Sequence, residues 1–380
     1  MKKHGIQLQS GDFVLTIMTR VLVIFGVIMV FSSSYYSSIN EGGTPYSYLI
    51  RDIIWAMAGF ALMMLLTVVD YRLYKKIALP GIIISIGLLA LVLTPMGTEI
   101  NNASRWIYVG PVTVMPGEIT KIAVIIFVAW FLSRKSNVIK SFFTGVLPLI
   151  FLAGLCGGLV MMQPNMSTAL IIGGIIFAMM FVAGINLLYF AGMIGAGAAA
   201  AAALIISDDT GYRMARVMSF LDPFSDPQGT GYQVVQSLLA LGSGGLFGLG
   251  LGNSVQKTLY LPEPQNDFIL AIIGEELGFI GIILLMACYL VLIWRGIRIA
   301  VAAPDRFGML LASGITIMLG LQIIMNVAVV TSLMPPTGVT LPFVSYGGNA
   351  LLLFMGSMGI LLNISRNESA ERQDKKSKLL

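Results

Sequence analysis

The sequence predicts an all-α polytopic membrane protein of about ten transmembrane helices. Two observations carry that expectation. Of 380 residues, 57% are hydrophobic and only 11% are charged, about half the charged share of an ordinary soluble domain. Apolar runs also recur along the whole length, each long enough to cross a hydrocarbon core about 30 Å thick. The net charge of +5 does not indicate nucleic-acid binding, because most basic residues sit in short connections between apolar runs.

The spans are expected near 13–33, 50–68, 77–93, 118–132, 143–162, 167–184, 187–206, 267–294, 308–331 and 346–364, within a single membrane domain. The first run is longer than the apolar core of a secretory signal, and no small-residue cleavage pattern follows it, so it is expected to stay as an anchor. Orientation follows from the Lys/Arg bias. Lys2, Lys3, Arg72, Lys75, Lys76, Arg134, Lys135, Lys140, Arg295, Arg298, Arg306 and the tail 365–380, with its basic residues from Arg366 to Lys378, fall on one side. Both termini are therefore expected in the cytoplasm, with the 94–117 loop and the large 207–266 loop between spans seven and eight outside.

Cys156 and Cys288 lie within apolar runs, where a free cysteine acts as a small hydrophobe. His4 is the only histidine, which excludes histidine-dependent catalysis and a His-rich metal site.

Long loops with their own polar content are usually functional or disordered, and a regular pattern within one favours the first. The 207–266 loop carries an amphipathic stretch at 231–241 that predicts a short surface helix. It also holds the glycine-rich run SGGLFGLGLGNSVQK and ends in LPEPQN, directly before Asp267 and Phe268. Asp267 falls at the mouth of the eighth span, where a helix N-cap is one reading. A general base beneath a loop carrying Arg213, Arg216 and Lys257 is the other.

On an ideal helix Glu275 lies about 80° from Asp267 and Glu276 about 180° away. Glu275 is thus the expected cavity residue, and Glu276 the expected partner of another helix. Glu118 and Lys121 share one face at i,i+3 spacing. They are either a self-compensating ion pair or contacts to an anionic substrate. The charge-free segment 335–348 (PPTGVTLPFVSYGG) and QPNMST at 163–168 break the spans with irregular backbone, which is tolerated at membrane depth where it lines a cavity or lies buried in protein. Gln163, Asn165, Thr168, Ser345 and Tyr346 are turn residues on one reading and hydrogen-bonding partners of a sugar on the other.

Together these motifs resemble the SEDS family (shape, elongation, division and sporulation), whose members include FtsW, RodA and SpoVE. The resemblance runs from Arg105-Trp106-Ile107 to PFVSYGG at 342–348. It is most specific in GYQ…QS…GSGGLFGLGLG…LPE…DFI…IGEELGFIG. It implies a glycosyltransferase that polymerises lipid II into β-1,4-linked glycan on the outer face of the bacterial cytoplasmic membrane. Asp267 matches the family's essential aspartate, and Arg105, Trp106 and Lys121 match its arginine-tryptophan pair and transmembrane lysine. The expected substrate contacts are Arg105, Trp106, Glu118, Lys121, Arg213, Arg216, Tyr232, Gln233, Gln236, Lys257, Glu263, Glu275 and Ser345. The implied partners are lipid II, undecaprenyl-pyrophosphate-linked glycan, a class B penicillin-binding protein and other divisome or elongasome proteins. A divalent cation (Mg or Mn) is a possible helper, and no organic cofactor is expected. The chain departs from the family pattern in MPGE (115–118), QPNMST and EPQNDF. At Asn165 the change removes a carboxylate, so no catalytic role passes to that position. A lipid II flippase is the alternative reading, because intramembrane charges and broken helices also suit a transporter.

Overall fold

The apolar runs fold as helices in the computed structural model, which describes residues 11–100, 103–110, 112–134, 138–206, 220, 222–229 and 231–377. Helices α1 (Phe13–Asn40), α2 (Ser47–Val68) and α3 (Tyr74–Val92) precede a small sheet. The sheet is followed by α4 (Pro116–Ser133), α5 (Leu147–Met161), α6 (Met166–Val182) and α7 (Leu187–Ile206). The short α8 (Tyr232–Gly244) is the expected surface helix. The chain closes with α9 (Ile269–Ala302), α10 (Arg306–Val330) and α11 (Gly348–Ser377).

Among the described residues, eight helical segments are long and apolar enough to cross a membrane. The expected sixth span is a shorter apolar helix, Met166–Val182, and the expected seventh coincides with the 20 residues of α7. The 17 residues of α6 rise only about 25 Å.

Helices α4, α10 and α11 form the centre of the bundle; their most apolar windows are at least 67% buried, against 17% for α2. The apolar surface of α2 is therefore left to face acyl chains, which are as apolar as the side chains they meet. Buried amides join the helices. Asn363 of α11 accepts from the Tyr71 N–H at 2.9 Å and donates to the Thr67 carbonyl at 3.0 Å, fixing the α2–α3 connection.

The segment expected as an external loop at 94–117 contains a three-stranded antiparallel sheet, β1 (Gly97–Ile100), β2 (Ala103–Val109) and β3 (Val112–Val114). Its register pairs Thr98 with Trp106 and Ile107 with Val114. The reason is local: Trp106, Ile107, Tyr108, Val109, Val112 and Val114 favour a pleated surface, and Gly110 takes the positive φ of 64° at the β2–β3 turn.

Helix α9 is broken at Gly278, whose backbone (φ 68°, ψ −170°) is not helical. The glycine-rich run after α8 inserts there. The Leu249 and Gly250 N–H groups donate to the Glu275 and Glu276 carbonyls at 2.9 and 3.0 Å, while the Phe279 and Ile280 N–H groups donate to Gly245 and Leu246 at 2.9 and 3.2 Å. The break therefore leaves these polar backbone groups satisfied, as a low-dielectric setting requires. Gly278 lies nine residues after Ile269, roughly 14 Å along the helix. The loop thus reaches well below the end of the bundle. Leu246, Phe247, Leu249 and Leu251 project from it exposed.

Candidate functional site

Asp267 sits just ahead of α9, where three irregular segments meet. The helix begins at Ile269 after an N-cap at Phe268 that makes no side-chain cap bond, so Asp267 is not the cap and lies outside the spanning helix. Its backbone is held from α10 instead, by Asn326, whose Nδ2 donates to the Asp267 carbonyl at 2.8 Å and to Val339 at 2.6 Å. The half-buried side chain is directed toward the 335–347 loop. Gly338 there has φ 71°, and a Cβ on it would stand 3.7 Å from Asp267 Oδ2. Burial pushes the Asp267 carboxyl up from its ordinary value to about 6. The nearby Glu263 adds to the push, while a backbone hydrogen bond and the Arg105 guanidinium oppose it. The result is a carboxylate with raised proton affinity, ionised at neutral pH and taking up its proton as the pH falls through about 6.

Arg105 reaches the same place from β2. Its Nε donates to the Gln163 carbonyl at 3.5 Å, and its guanidinium also bonds the Pro164 carbonyl. The QPNMST turn is fixed by Asn165, which caps α6 by accepting from the Thr168 N–H at 3.2 Å, and by Ser167, which bonds the Thr337 carbonyl. Gln163 donates to the Leu89 carbonyl at 2.9 Å. Ser345 accepts from the Leu341 N–H at 2.7 Å, closing a turn of the 335–347 loop. The Tyr346 N–H donates to Gln265 at 2.9 Å, tying that loop to the segment carrying Asp267.

Beneath the site runs a buried polar ladder. Lys121 Nζ lies 2.7 Å from Glu118 Oε1 and 3.1 Å from Gln322 Oε1. Gln322 Nε2 in turn reaches the Thr340 carbonyl at 3.3 Å and its hydroxyl at 3.2 Å. Lys121 is thereby linked through α10 to the loop that faces Asp267. The pair is self-compensating, yet Glu118 Oε2 is buried without a partner, so the carboxylate retains accepting capacity.

The chain as a whole is similar to known proteins. A model of the FtsW/RodA/SpoVE cell cycle proteins matches residues 13–370. The chain belongs to that family. Its relatives include the stage V sporulation protein E of Bacillus subtilis strain 168, 42% identical over 94% of this chain and 97% of that protein. Another is the probable peptidoglycan glycosyltransferase FtsW of Geobacter sp. strain M18, 39% identical over 94% and 98%. Among solved structures, a chain from a peptidoglycan synthase complex, studied for its coordination of polymerization and crosslinking, superposes with a TM-score of 0.79. It is 26% identical, with 94% of this chain and 98% of that one covered. The RodA rod shape determining protein of Thermus thermophilus gives 0.69 at 26% identity, covering 95% and 98%.

Within this FtsW/RodA/SpoVE fold the expected site residues separate into groups. Asp267, Arg105, Gln163, Glu263 and the 335–347 loop come together, with the half-buried Trp106 on the same strand as Arg105. Exposed Glu263 accepts from Asn266 at 2.6 Å, and it is one of several non-glycine residues with positive φ (50°), a conformation costing roughly 1–2 kcal/mol of the kind that clusters at functional sites.

Glu275 and Lys257 are placed elsewhere. Glu275, expected to face a cavity, is 1% exposed. It accepts from the Val255 and Gln256 N–H groups at 3.0 and 3.2 Å and from the Ser254 hydroxyl. It anchors the loop. Helical angles from Asp267 mispredicted it because Asp267 precedes the helix. Lys257 is also buried, 2.6 Å from Glu276 Oε1 and 3.0 Å from Ser32 on α1. Its charge is satisfied there rather than offered to a substrate, and Glu276 pairs across helices as its angle implied. Tyr232, Gln233 and Gln236 are half-buried along α8, and Arg213 and Arg216 lie outside the described residues. Gln322 and Asn326 were missed by sequence reasoning; their signal was two amides at i,i+4 in an otherwise apolar run.

Proposed function

We propose that this chain is a peptidoglycan glycosyltransferase that polymerises lipid II, with Asp267 as the general base. The observation that carries the reading is a half-buried carboxylate whose proton affinity is raised to about 6, set opposite Gly338 in a crevice of irregular backbone that also holds Arg105. In the reaction the acceptor sugar hydroxyl attacks the anomeric carbon of the donor. Its proton passes to the Asp267 carboxylate, and the lipid pyrophosphate departs with the electrons of the broken glycosidic bond. A base with a pKa near the working pH suits that transfer. Arg105 offsets the pyrophosphate charge, and Lys121, its charge compensated by Glu118, holds the floor of the site through Gln322.

The oxygens near Asp267 are of the hard type that Mg or Mn prefers. Gln265 Oε1, Asn326 Oδ1 and Thr337 Oγ1 are buried without partners and would supply such an ion alongside the carboxylate. A bound cation would add positive charge for the pyrophosphate. We place the protein in the bacterial cytoplasmic membrane with both termini cytoplasmic, working beside a class B penicillin-binding protein that crosslinks the glycan.

The test is polymerisation of lipid II by the purified protein in liposomes, with and without Asp267. Glycan made only by the wild type supports the reading. Movement of lipid II between leaflets without any glycan would replace the enzyme with a transporter.

A further inference from the structure

A second polar cavity lies at the end of the bundle opposite Asp267. It measures about 320 Å³ and is lined by Lys75 at the start of α3, by Trp130, Ser133 and Arg134 at the end of α4, and by Asp305, Arg306 and Phe307 at the α9–α10 turn. The 18 residues of α4 separate it from the catalytic end by about 27 Å. Nothing in the chemistry at Asp267 uses it.

Its charge balance is uneven by construction. Three cations and one carboxylate line it, and the carboxylate is already engaged. Asp305 Oδ1 accepts from the Gly308 N–H at 2.8 Å and from the Tyr71 hydroxyl at 3.1 Å, and Oδ2 accepts from Lys75 at 2.7 Å. The cations are also positioned: the Arg134 guanidinium lies 4.7 Å from the Trp130 ring and Lys75 Nζ 5.1 Å from Phe307. Cation–π contacts of this kind restrain long side chains while leaving their N–H groups to donate. A loop obeying only the positive-inside bias would need no cavity, no aromatic wall and no restrained guanidinium.

A second observation bears on the ligand. An apolar groove of about 370 Å³ runs between α2, α3, α4 and α11 and is lined by Ala78 and Ile126 among others. Ala78 is three residues beyond Lys75, and Ile126 four before Trp130. Polar cavity and apolar groove therefore lie within one helical turn of each other along the α3–α4 pair. Guanidinium forks suit phosphate oxygens, and basic pockets between transmembrane helices suit anionic headgroups.

We propose that this cavity binds a phosphate-bearing anion, with the neighbouring groove favouring an anionic phospholipid as its source: headgroup on Arg134, Arg306 and Lys75, one acyl chain along α3 and α4. The site is independent of the reaction at Asp267, so its test reads binding alone. Detergent-solubilised full-length protein is titrated with dioctanoyl phosphatidylglycerol, dioctanoyl phosphatidylcholine or inorganic phosphate, and occupancy is read by native mass spectrometry. Phosphatidylglycerol should bind more tightly than phosphatidylcholine, and Arg134→Gln should weaken it about fivefold, the effect of one cation near a headgroup. The exposed neighbour Lys76→Gln should leave it unchanged. Inorganic phosphate binding that depends on Arg134, with no preference between the two lipids, would assign the site to a free phosphate. Equal affinity for both lipids without an Arg134 effect and without phosphate binding would overturn the proposal. So would an equal loss in Lys76→Gln.

Discussion

Asp267→Asn should make the protein more stable and almost inactive, and both halves follow from the same carboxylate. The surrounding backbone does not depend on the side chain, since Asn326 holds the Asp267 carbonyl and α9 starts without a side-chain cap. Burial, the largest cause, lifts the carboxyl from 3.8 to about 6. An elevation of about two units disfavours the ionised form by about 3 kcal/mol. The folded protein therefore binds this proton more tightly than the unfolded chain does. Stability from this group is complete below pH 3.8, declines as pH rises toward 6, and stays diminished above 6. A neutral amide removes that penalty. At pH 7.5 the variant should be more stable by up to about 3 kcal/mol, and near pH 4.5 the difference should shrink to about 1 kcal/mol. Thermal unfolding followed by size-exclusion at the two pH values measures this. Glycan synthesis from lipid II in the same preparations should fall by about 10² to 10⁴, the usual contribution of a general base. An amide variant no more stable at pH 7.5, and polymerising at the wild-type rate, would refute both the buried carboxylate and its role.

The remaining expectations concern the frame around it. The wild-type rate should show an acid limb near pH 6, where Asp267 takes up its proton, and a profile flat from pH 5 to 8 would point to another base. Lys257→Met should cost about 3–5 kcal/mol by leaving the Glu276 charge buried, with folded yield restored in part by adding Glu276→Gln; a fully stable single variant would remove the ion pair as an anchor. Gly278→Ala should abolish folded protein, because its Cβ would overlap Gly248 and Leu246 at a positive φ; detergent-stable variant eluting like wild type would contradict the stitched break. In a background free of Cys156 and Cys288, a cysteine at exposed Pro262 should react with an impermeant thiol reagent in intact spheroplasts, whereas one at exposed Lys140 should react only after permeabilisation. The opposite pattern would invert the proposed orientation.

Hydropathy made the bundle legible, since length and apolarity alone decide which segments can cross a bilayer, and the expected edges fall within a few residues for most spans. Helices α1, α9 and α11 are the exceptions, running to Asn40, Ala302 and Ser377 because polar and charged residues ended the apolar run before they ended the helix. The sheet at 97–114 was hidden by polar Asn, Ser and Arg, which mask a β-branched alternation only seven residues long in its central strand. Asp267 was legible as a residue, and of its two readings the cap does not hold, because a cap depends on one φ/ψ pair that composition does not report. The long-range partners were not legible at all. Nothing local connects Lys257 to Ser32, 225 residues away, or Gln322 to Lys121, 201 away.

The break at Gly278 changes what kind of part the glycine-rich run is. A string reading GSGGLFGLGLG invites treatment as a spacer, to be lengthened, shortened or exchanged for another flexible sequence. Here its amides and carbonyls complete the hydrogen-bond ladder of a helix, so segment and helix open as a single cooperative unit. Amide exchange at Leu249, Gly250, Phe279 and Ile280 would be correspondingly synchronous. The first portion of α9, with Asp267 just ahead of it, is therefore a brace spliced into its neighbour, and the Asp267 carboxylate inherits its fixed position from a sequence that looks like slack.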